Sequence, residues 1–374
     1  MRIAFLDSWL QSSAEGSGTA VGLGGLVQAL RARGHLVTRV APGRPWPRTL
    51  TLRRLLFNLQ LFARWRAQDY DLVVGTDVDG VFWSSRRGGV PYVVAIKGVI
   101  AEELRHEQGR TRLLFQALAR LEARNARHAD VVLADSAYCR DAIVRHYGIP
   151  AGRIRLVPEG IELARWQRVA AQTPHHSDGA TILCVARQYP RKHVADLLRA
   201  LPQVRCAVPS AHAVLVGDGP EHAALRALAA ELGLGPAAQF LGAIADDDEV
   251  ARCYRRADVF CLPSVQEAFG IVFLEAMASG LPVVATRAAA IPEVVPDGQA
   301  GLLVPPGDVE ALAAALTTLL REPARRAAYG ARGQAHVRQY DWGVVAERFL
   351  AQVTPWVGAA PAREGAGAGF ERGG

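Results

Sequence analysis

The chain has 374 residues, half of them hydrophobic and 7% aromatic, which is too long for one ordinary core and too apolar for a disordered chain, so two soluble α/β domains are expected. The formal charge of +7 is uneven, with +10 on residues 1–170 and −3 on residues 171–374, which directs an anionic partner to the first half. No apolar run reaches the roughly 18 residues a bilayer span needs, and five scattered cysteines without a CxxC pair read as reduced, buried thiols of a cytosolic protein rather than staples or metal ligands.

"MRIAFLD" opens the chain as a strand, its apolar stretch too short for a signal peptide. Strand-like runs follow at "HLVTRVA", "DLVVG", "YVVAIKG", "DVVLADS" and "IRLVPEG", with helical patterns such as "TAVGLGGLVQALRARG" and "RLLFQALARLEARNARH" between them. Residues 44–68 combine six arginines with Leu, Phe and Trp at helical spacings. This segment reads either as a basic amphipathic helix for an anionic membrane surface or as a domain helix with its apolar face on a sheet and its arginines solvated. Its aromatics share the apolar face, which disfavours nucleic acid. "ELARWQRVAAQTPHHSDG" loses the rhythm and is the linker candidate. The second half repeats the style at "TILCVAR", "AHAVLVGDG", "AQFLGA", "DVFCLPS", "LPVVATRAAA" and "GLLVPP". Short apolar strands between longer helices imply parallel sheets covered on both faces. Two doubly wound, Rossmann-like halves would then hold ligands in the cleft beyond their strand ends. The closing "GAAPAREGAGAGFERGG" lacks periodicity and is expected to be disordered.

Only two of the 43 basic residues are lysines, Lys97 and Lys192, and each closes a segment beginning with an apolar strand. Among so many arginines, a lysine suggests a site that needs a compact point charge. "TDVDG" has the D-x-D spacing of metal-dependent glycosyltransferases of another fold, but Asp77 and Asp79 read more simply as a loop after a strand. "ADDDE" reads as acids at a helix start. No G-x-G-x-x-G follows the first strand, which disfavours a dinucleotide oxidoreductase.

The strongest segment is "PSVQEAFGIVFLEAMASGLPVVA". A helix beginning near Phe269 puts Glu275 on its second turn and Glu267 in the preceding loop. The free amides of Phe269, Gly270 and Ile271 would suit a phosphate. This E-x7-E segment resembles the signature of the family-4 retaining glycosyltransferases, which have the GT-B fold. "VARQYPRKHVADLLRALP", "VLVGDGPEHAALRALAAELGL", "FLGAIADDDEVARCYRRADVFCLPS" and "IPEVVPDGQAGLLVPPGDVEALAAAL" resemble the family in order and spacing, and the first half matches more loosely.

The resemblance implies an acceptor-side domain over 1–168, a nucleotide-sugar domain over 169–341, a helix over 342–358 packing back on the first domain, and a tail over 359–374. It implies that Arg187 and Lys192 grip the donor diphosphate, Glu267 the sugar and Glu275 the ribose, with Gly242 against the base and Gly18 closing over the phosphates. Two cations five residues apart on one loop can also neutralise a departing diphosphate without a metal. No metal or other cofactor is therefore expected. The chain departs from the family at Ala186, at Ser17-Gly18, at Ala288-Ala289-Ala290 and at Lys97, where many members carry histidine. An ammonium accepts no hydrogen bond, so Lys97 is expected to contact a phosphate or the acceptor instead.

The expected function is a metal-independent, retaining hexosyltransferase. It would use a nucleotide-diphosphate sugar and a lipid or envelope-glycan acceptor, and sit in the cytoplasm or peripherally at the inner membrane face. The alternatives are an epimerase or phosphorylase on the same fold, or a non-catalytic binding protein.

Overall fold

The structure, a computed structural model, describes residues 1–9, 18–42, 49–174 and 179–357, with residues 18–21 described by their backbone alone. Strands β1 (Arg2–Leu6), β2 (Leu36–Val40), β3 (Leu72–Thr76), β4 (Tyr92–Ile96), β5 (Val131–Ala134) and β6 (Ile154–Leu156) form one sheet in the order β2-β1-β3-β4-β5-β6. Strands β7 (Thr181–Val185), β8 (His212–Val216), β9 (Ala238–Gly242), β10 (Val259–Leu262), β11 (Val283–Thr286) and β12 (Gly301–Val304) form the second, in the order β12-β11-β10-β7-β8-β9. Every paired strand runs parallel to its neighbour. Val73, Val93, Val132, Leu183, Phe260 and Val284 are buried, as expected of strands covered on both faces. Each apolar run quoted from the sequence is one of these twelve strands.

The final described helix, Trp342–Val357, belongs to the first half by packing although it follows the second in the chain. Its Trp342, Val345, Phe349 and Val353 share a core with Ile3, Phe5, Leu23 and Leu30. Gly25, on the helix Gly18–Ala32, permits this contact, because a Cβ there would overlap the Trp342 indole. The expected tail over 359–374 lies outside the described residues.

The helix Leu50–Arg64 departs from the ordinary amphipathic pattern on both faces. Its buried side carries Arg54 and Asn58 alongside Phe57 and Leu61, while Leu52, Leu55 and Leu59 are 44%, 44% and 47% exposed. The solvated-arginine picture of this segment therefore fails at Arg54. Residues 44–48 lie outside the described residues. The expectation of buried thiols is corrected at one position as well: Cys206 is exposed, near the end of the helix Val194–Ala207, while the other four cysteines are buried and all five are free.

Candidate functional site

In the second sheet the strand order reverses between β7 and β10, and doubly wound folds bind ligands beyond the carboxyl ends of strands at such a switch. The loops leaving these two strands carry the signature residues. Beyond β7 the chain passes Arg187 and makes a tight turn over Pro190–Lys192. Beyond β10 it passes Ser264 and Glu267 before the helix Ile271–Ala278. The Lys192 ammonium donates to Glu267 Oε1 at 2.6 Å, and Ser264 Oγ donates to the same oxygen at 2.8 Å. Glu267 is 8% exposed, so its charge is matched by a cation and fixed in direction. The loops are also joined through the backbone, Val265 N–H donating to the Arg191 carbonyl at 3.0 Å. Arg187 is exposed on the same loop, 5.9 Å above the Tyr189 ring.

Gly270 caps the helix at φ 93°, where L side chains are strained, and a Cβ there would lie 2.6 Å from the Phe273 ring. The helix starts two residues later than the sequence suggested, which still leaves Glu275 on its second turn. Phe269 is buried with its ring 5.6 Å from that of Tyr340, and Ile271 is half-buried. Burial pushes the Glu275 carboxyl up to about 7, against the pull of Tyr254, whose hydroxyl donates to it at 2.7 Å. Gly242 ends β9 at φ 68° and accepts from Gly217 N–H at 2.7 Å, on the side of β7 away from β10. Gly18 opens the helix Gly18–Ala32, and the loop before it falls outside the described residues.

The carboxyl edge of the first sheet is built from buried charge. Asp7 follows β1 and pairs with Arg39 of β2. Asp79 follows β3 and accepts from Ser8 N–H at 2.9 Å and from Asn58 at 3.2 Å. Arg54 lies 3.3 Å from Asp77 and 3.9 Å from Asp79. Burial raises Asp79 to about 6 in spite of Arg54. Asp77, at φ 54°, is in the loop directly after β3, the simpler of the two readings of "TDVDG". Lys97, beyond β4, lies 3.0 Å from Asp135 and 2.7 Å from Glu159. Burial alone would depress Lys97, but the two carboxylates outweigh it and hold the ammonium charged. Burial drives Asp135 upward, and Glu159 Oε2 is buried without a hydrogen-bond partner. The half with the larger positive charge thus presents mostly carboxylates at its carboxyl edge.

Several contacts join the halves beside Glu267. Ser136 Oγ donates to the Ala268 carbonyl at 2.7 Å, and Glu293 accepts from the amides of Ala137 and Tyr138 at 2.7 and 2.8 Å. Arg191 lies 3.5 Å from Glu103. A Cβ on Gly98 would lie 4.0 Å from that of Ala268, so the Lys97 end of β4 meets the Glu267 loop. In the triple-alanine loop, Ala289 takes φ 50° and Ala290 N–H donates to the Glu267 carbonyl at 3.3 Å. Ser136, Glu293 and the Lys97 carboxylates carry no local sequence signal, because each pairing joins distant parts of the chain. Among the described residues no group of three or more His, Cys, Asp or Glu is arranged to hold a metal ion.

Two parallel Rossmann-like halves meeting at their strand ends, with cations and carboxylates gathered at the switch point, define a protein of the GT-B class. The family models agree, matching Glycosyltransferase Family 4 over residues 16–165 and Glycosyl transferases group 1 over residues 167–336. The chain belongs to the family-4 glycosyltransferases. It is 39% identical over 196 residues to a phosphatidyl-myo-inositol mannosyltransferase of Mycolicibacterium smegmatis, covering 52% of this chain and 50% of the relative. It is 35% identical over 219 residues to a GDP-mannose-dependent alpha-(1-6)-phosphatidylinositol monomannoside mannosyltransferase of the same organism, covering 55% of this chain and 57% of the relative. The matched segments thus span only about half the length of these curated relatives. A sucrose-phosphate synthase from Thermosynechococcus elongatus superimposes with TM-score 0.79 at 25% identity, over 96% of this chain and 100% of that one.

Proposed function

We propose that this chain is a retaining, metal-independent glycosyltransferase. It moves a hexose from a nucleotide-diphosphate sugar to a lipid-linked acceptor, on the cytoplasmic side of an anionic membrane. The observation that carries this reading is the Lys192–Glu267 pair at the β7/β10 switch, with Arg187 on the same loop and the amino end of the helix Ile271–Ala278 beside it. Cations for a diphosphate and a carboxylate for a sugar hydroxyl converge there. The Phe269, Gly270 and Ile271 backbone adds amide donors at the helix start. Glu275 takes the ribose hydroxyls, and Gly242 and Gly18 let the backbone close on base and phosphates.

In the transfer step the acceptor oxygen approaches the anomeric carbon on the face that the diphosphate leaves. The new carbon–oxygen bond forms as the old one breaks. The electron pair goes to the phosphate oxygen, which takes the acceptor's proton, while Arg187 and Lys192 stabilise the growing charge. Lys97 acts on the acceptor side by fixing Asp135 and Glu159 beyond the carboxyl ends of their strands. The relatives' names favour mannose as the sugar and an inositol lipid as the acceptor.

The membrane part of the reading rests on the outward stripe Leu52, Leu55 and Leu59, flanked by exposed Arg64 and Arg66 on the half with charge +10. No helix of the described residues is long and apolar enough to cross a bilayer.

The test supplies GDP-mannose or UDP-glucose with vesicles that contain or lack phosphatidylinositol, in excess EDTA. Lipid-dependent release of nucleoside diphosphate, with an α-configured product, is expected. Sugar epimerised or phosphorolysed without an acceptor would favour the enzymatic alternatives. Nucleotide binding without turnover on any acceptor would favour a binding protein.

A further inference from the structure

The helix Leu50–Arg64 ends at Trp65, and the chain from there to β3, with the turn before β4, encloses a cavity of about 210 Å³. Trp83, Ala67 and Val90 form its buried floor, and Trp65 stands edge-on to Trp83 at 4.9 Å. Three arginines ring it, Arg66, Arg86 and Arg87, and among the described residues no carboxylate lines it. Arg87 is spent on Asp130, with nitrogen–oxygen distances of 2.5 and 2.8 Å. Arg86 lies 3.7 Å over the Phe62 ring, which fixes its plane but uses none of its N–H donors. Neither Arg66 nor Arg86 pairs with a carboxylate among the described residues, and both are exposed.

This cavity is not part of the cleft. It lies at the amino ends of β3 and β4, whereas Asp77 and Lys97 follow their carboxyl ends. Five residues of strand separate the two edges by about 16 Å. The cavity is also small for a nucleotide sugar, since pockets for ligands of that size run roughly 300–1,000 Å³. An aromatic floor beneath two unpaired planar cations selects a phosphate carried on an apolar body. Tryptophan is suited to such a boundary between water and hydrocarbon. The Leu52, Leu55, Leu59 stripe lies on the helix that ends at this rim, which places the cavity beside the proposed membrane face.

We infer that the cavity is a head-group pocket for the phosphate of an anionic lipid, separate from the cleft and lying in the same interface as the leucine stripe. It rests on the membrane reading above for its source of ligand, and it gives the half two anchors, one apolar and one phosphate-specific, that fix its orientation on the surface.

The pocket is tested without any membrane. Calorimetry on the full chain would compare dihexanoyl phosphatidic acid, kept below its micelle-forming concentration, with dihexanoyl phosphatidylcholine and inorganic phosphate. The phosphatidic acid should bind at least about tenfold more tightly than either: its monoester carries charge that the zwitterionic phosphocholine lacks, and a charge-assisted contact contributes about tenfold or more, while its acyl body buries apolar surface that inorganic phosphate does not have. Arg66→Glu with Arg86→Glu, both on exposed side chains, should abolish this difference while leaving the melting temperature near that of the parent. Equal binding of inorganic phosphate, or binding undiminished in the double variant, would overturn the pocket. A parallel arm sediments the protein with phosphatidic acid vesicles after Leu52→Asp with Leu59→Asp. Lost sedimentation with retained calorimetric binding supports both proposals. Retained sedimentation removes the leucine stripe from the membrane reading and leaves the pocket standing.

Discussion

Arg54 offers the sharpest test of the described geometry. Its guanidinium is buried between Asp77 at 3.3 Å and Asp79 at 3.9 Å. At an effective dielectric constant of about 20 these separations correspond to attractions of about 5 and about 4 kcal/mol. Desolvation of the three charges offsets most of that sum, so the intact cluster is worth far less. Removing only the cation is different, because two carboxylates then stay buried with one positive charge missing. Such half-broken clusters cost about 3–5 kcal/mol, a large part of the roughly 5–15 kcal/mol that stabilises an ordinary domain. Arg54→Met should therefore lower the urea midpoint strongly at pH 8. The loss should shrink toward pH 5.5, and the sign follows from Asp79. Burial already holds it at about 6, above its unfolded value, and without Arg54 it rises further. A carboxyl raised on folding opposes stability above its unfolded pKa and ceases to do so once protonated, so acid relieves the variant. Leu52→Asn, on the outer face of the same helix, should change stability by less than about 0.5 kcal/mol. An Arg54→Met midpoint equal to the parent's, or a deficit that does not vary with pH, would refute the buried cluster.

Lys192→Ala should reduce transfer at saturating donor by on the order of 10²–10³, since it removes a donor at a developing anion; turnover near that of the parent would dismiss the diphosphate role. Glu275 should link nucleotide binding to protons. Its carboxyl is held at about 7 in the free protein, and ribose hydroxyls favour the ionised form, so binding releases protons and tightens as pH rises through 7. Calorimetry in buffers of different ionisation enthalpy should report release of roughly three-quarters of a proton at pH 6.5 in the parent and none in Glu275→Gln; equal release in both would move the ribose elsewhere.

The architecture was legible because the strands are short apolar runs and the central ones, such as β3, β4, β5, β10 and β11, are buried on both faces, a signal carried within the strand itself. The E-x7-E segment was legible for a similar reason, since Glu267, Gly270 and Glu275 lie within nine residues and one loop-helix unit positions them all. The helix Leu50–Arg64 was not. Periodicity assumes that arginine faces water, and it cannot register that Asp77 and Asp79, more than twenty residues later, return to meet Arg54. Lys97 failed the same way: its position beyond a strand was plain, but its partners Asp135 and Glu159 come from the loops after two other strands. Ala289 shows the reverse case, a residue whose identity argues against the left-handed backbone it adopts. Local pattern locates elements, and long-range charge pairing decides what their ends can do.

The return of the helix Trp342–Val357 to the first half has a consequence for biosynthesis. The half translated first cannot complete its own hydrophobic centre, because Phe349 and Val353 are among the last residues the ribosome adds to that cluster. While the second half emerges and folds as a contiguous stretch, the Phe5 side of the sheet and the helix Gly18–Ala32 wait without the Trp342–Val357 helix that shares their core. Domains generally acquire structure in the order of their synthesis, and here the order is inverted for final consolidation. A ribosome that stalls anywhere between residues 180 and 340 would hold a chain with an exposed apolar surface, a substrate for chaperones rather than half an enzyme.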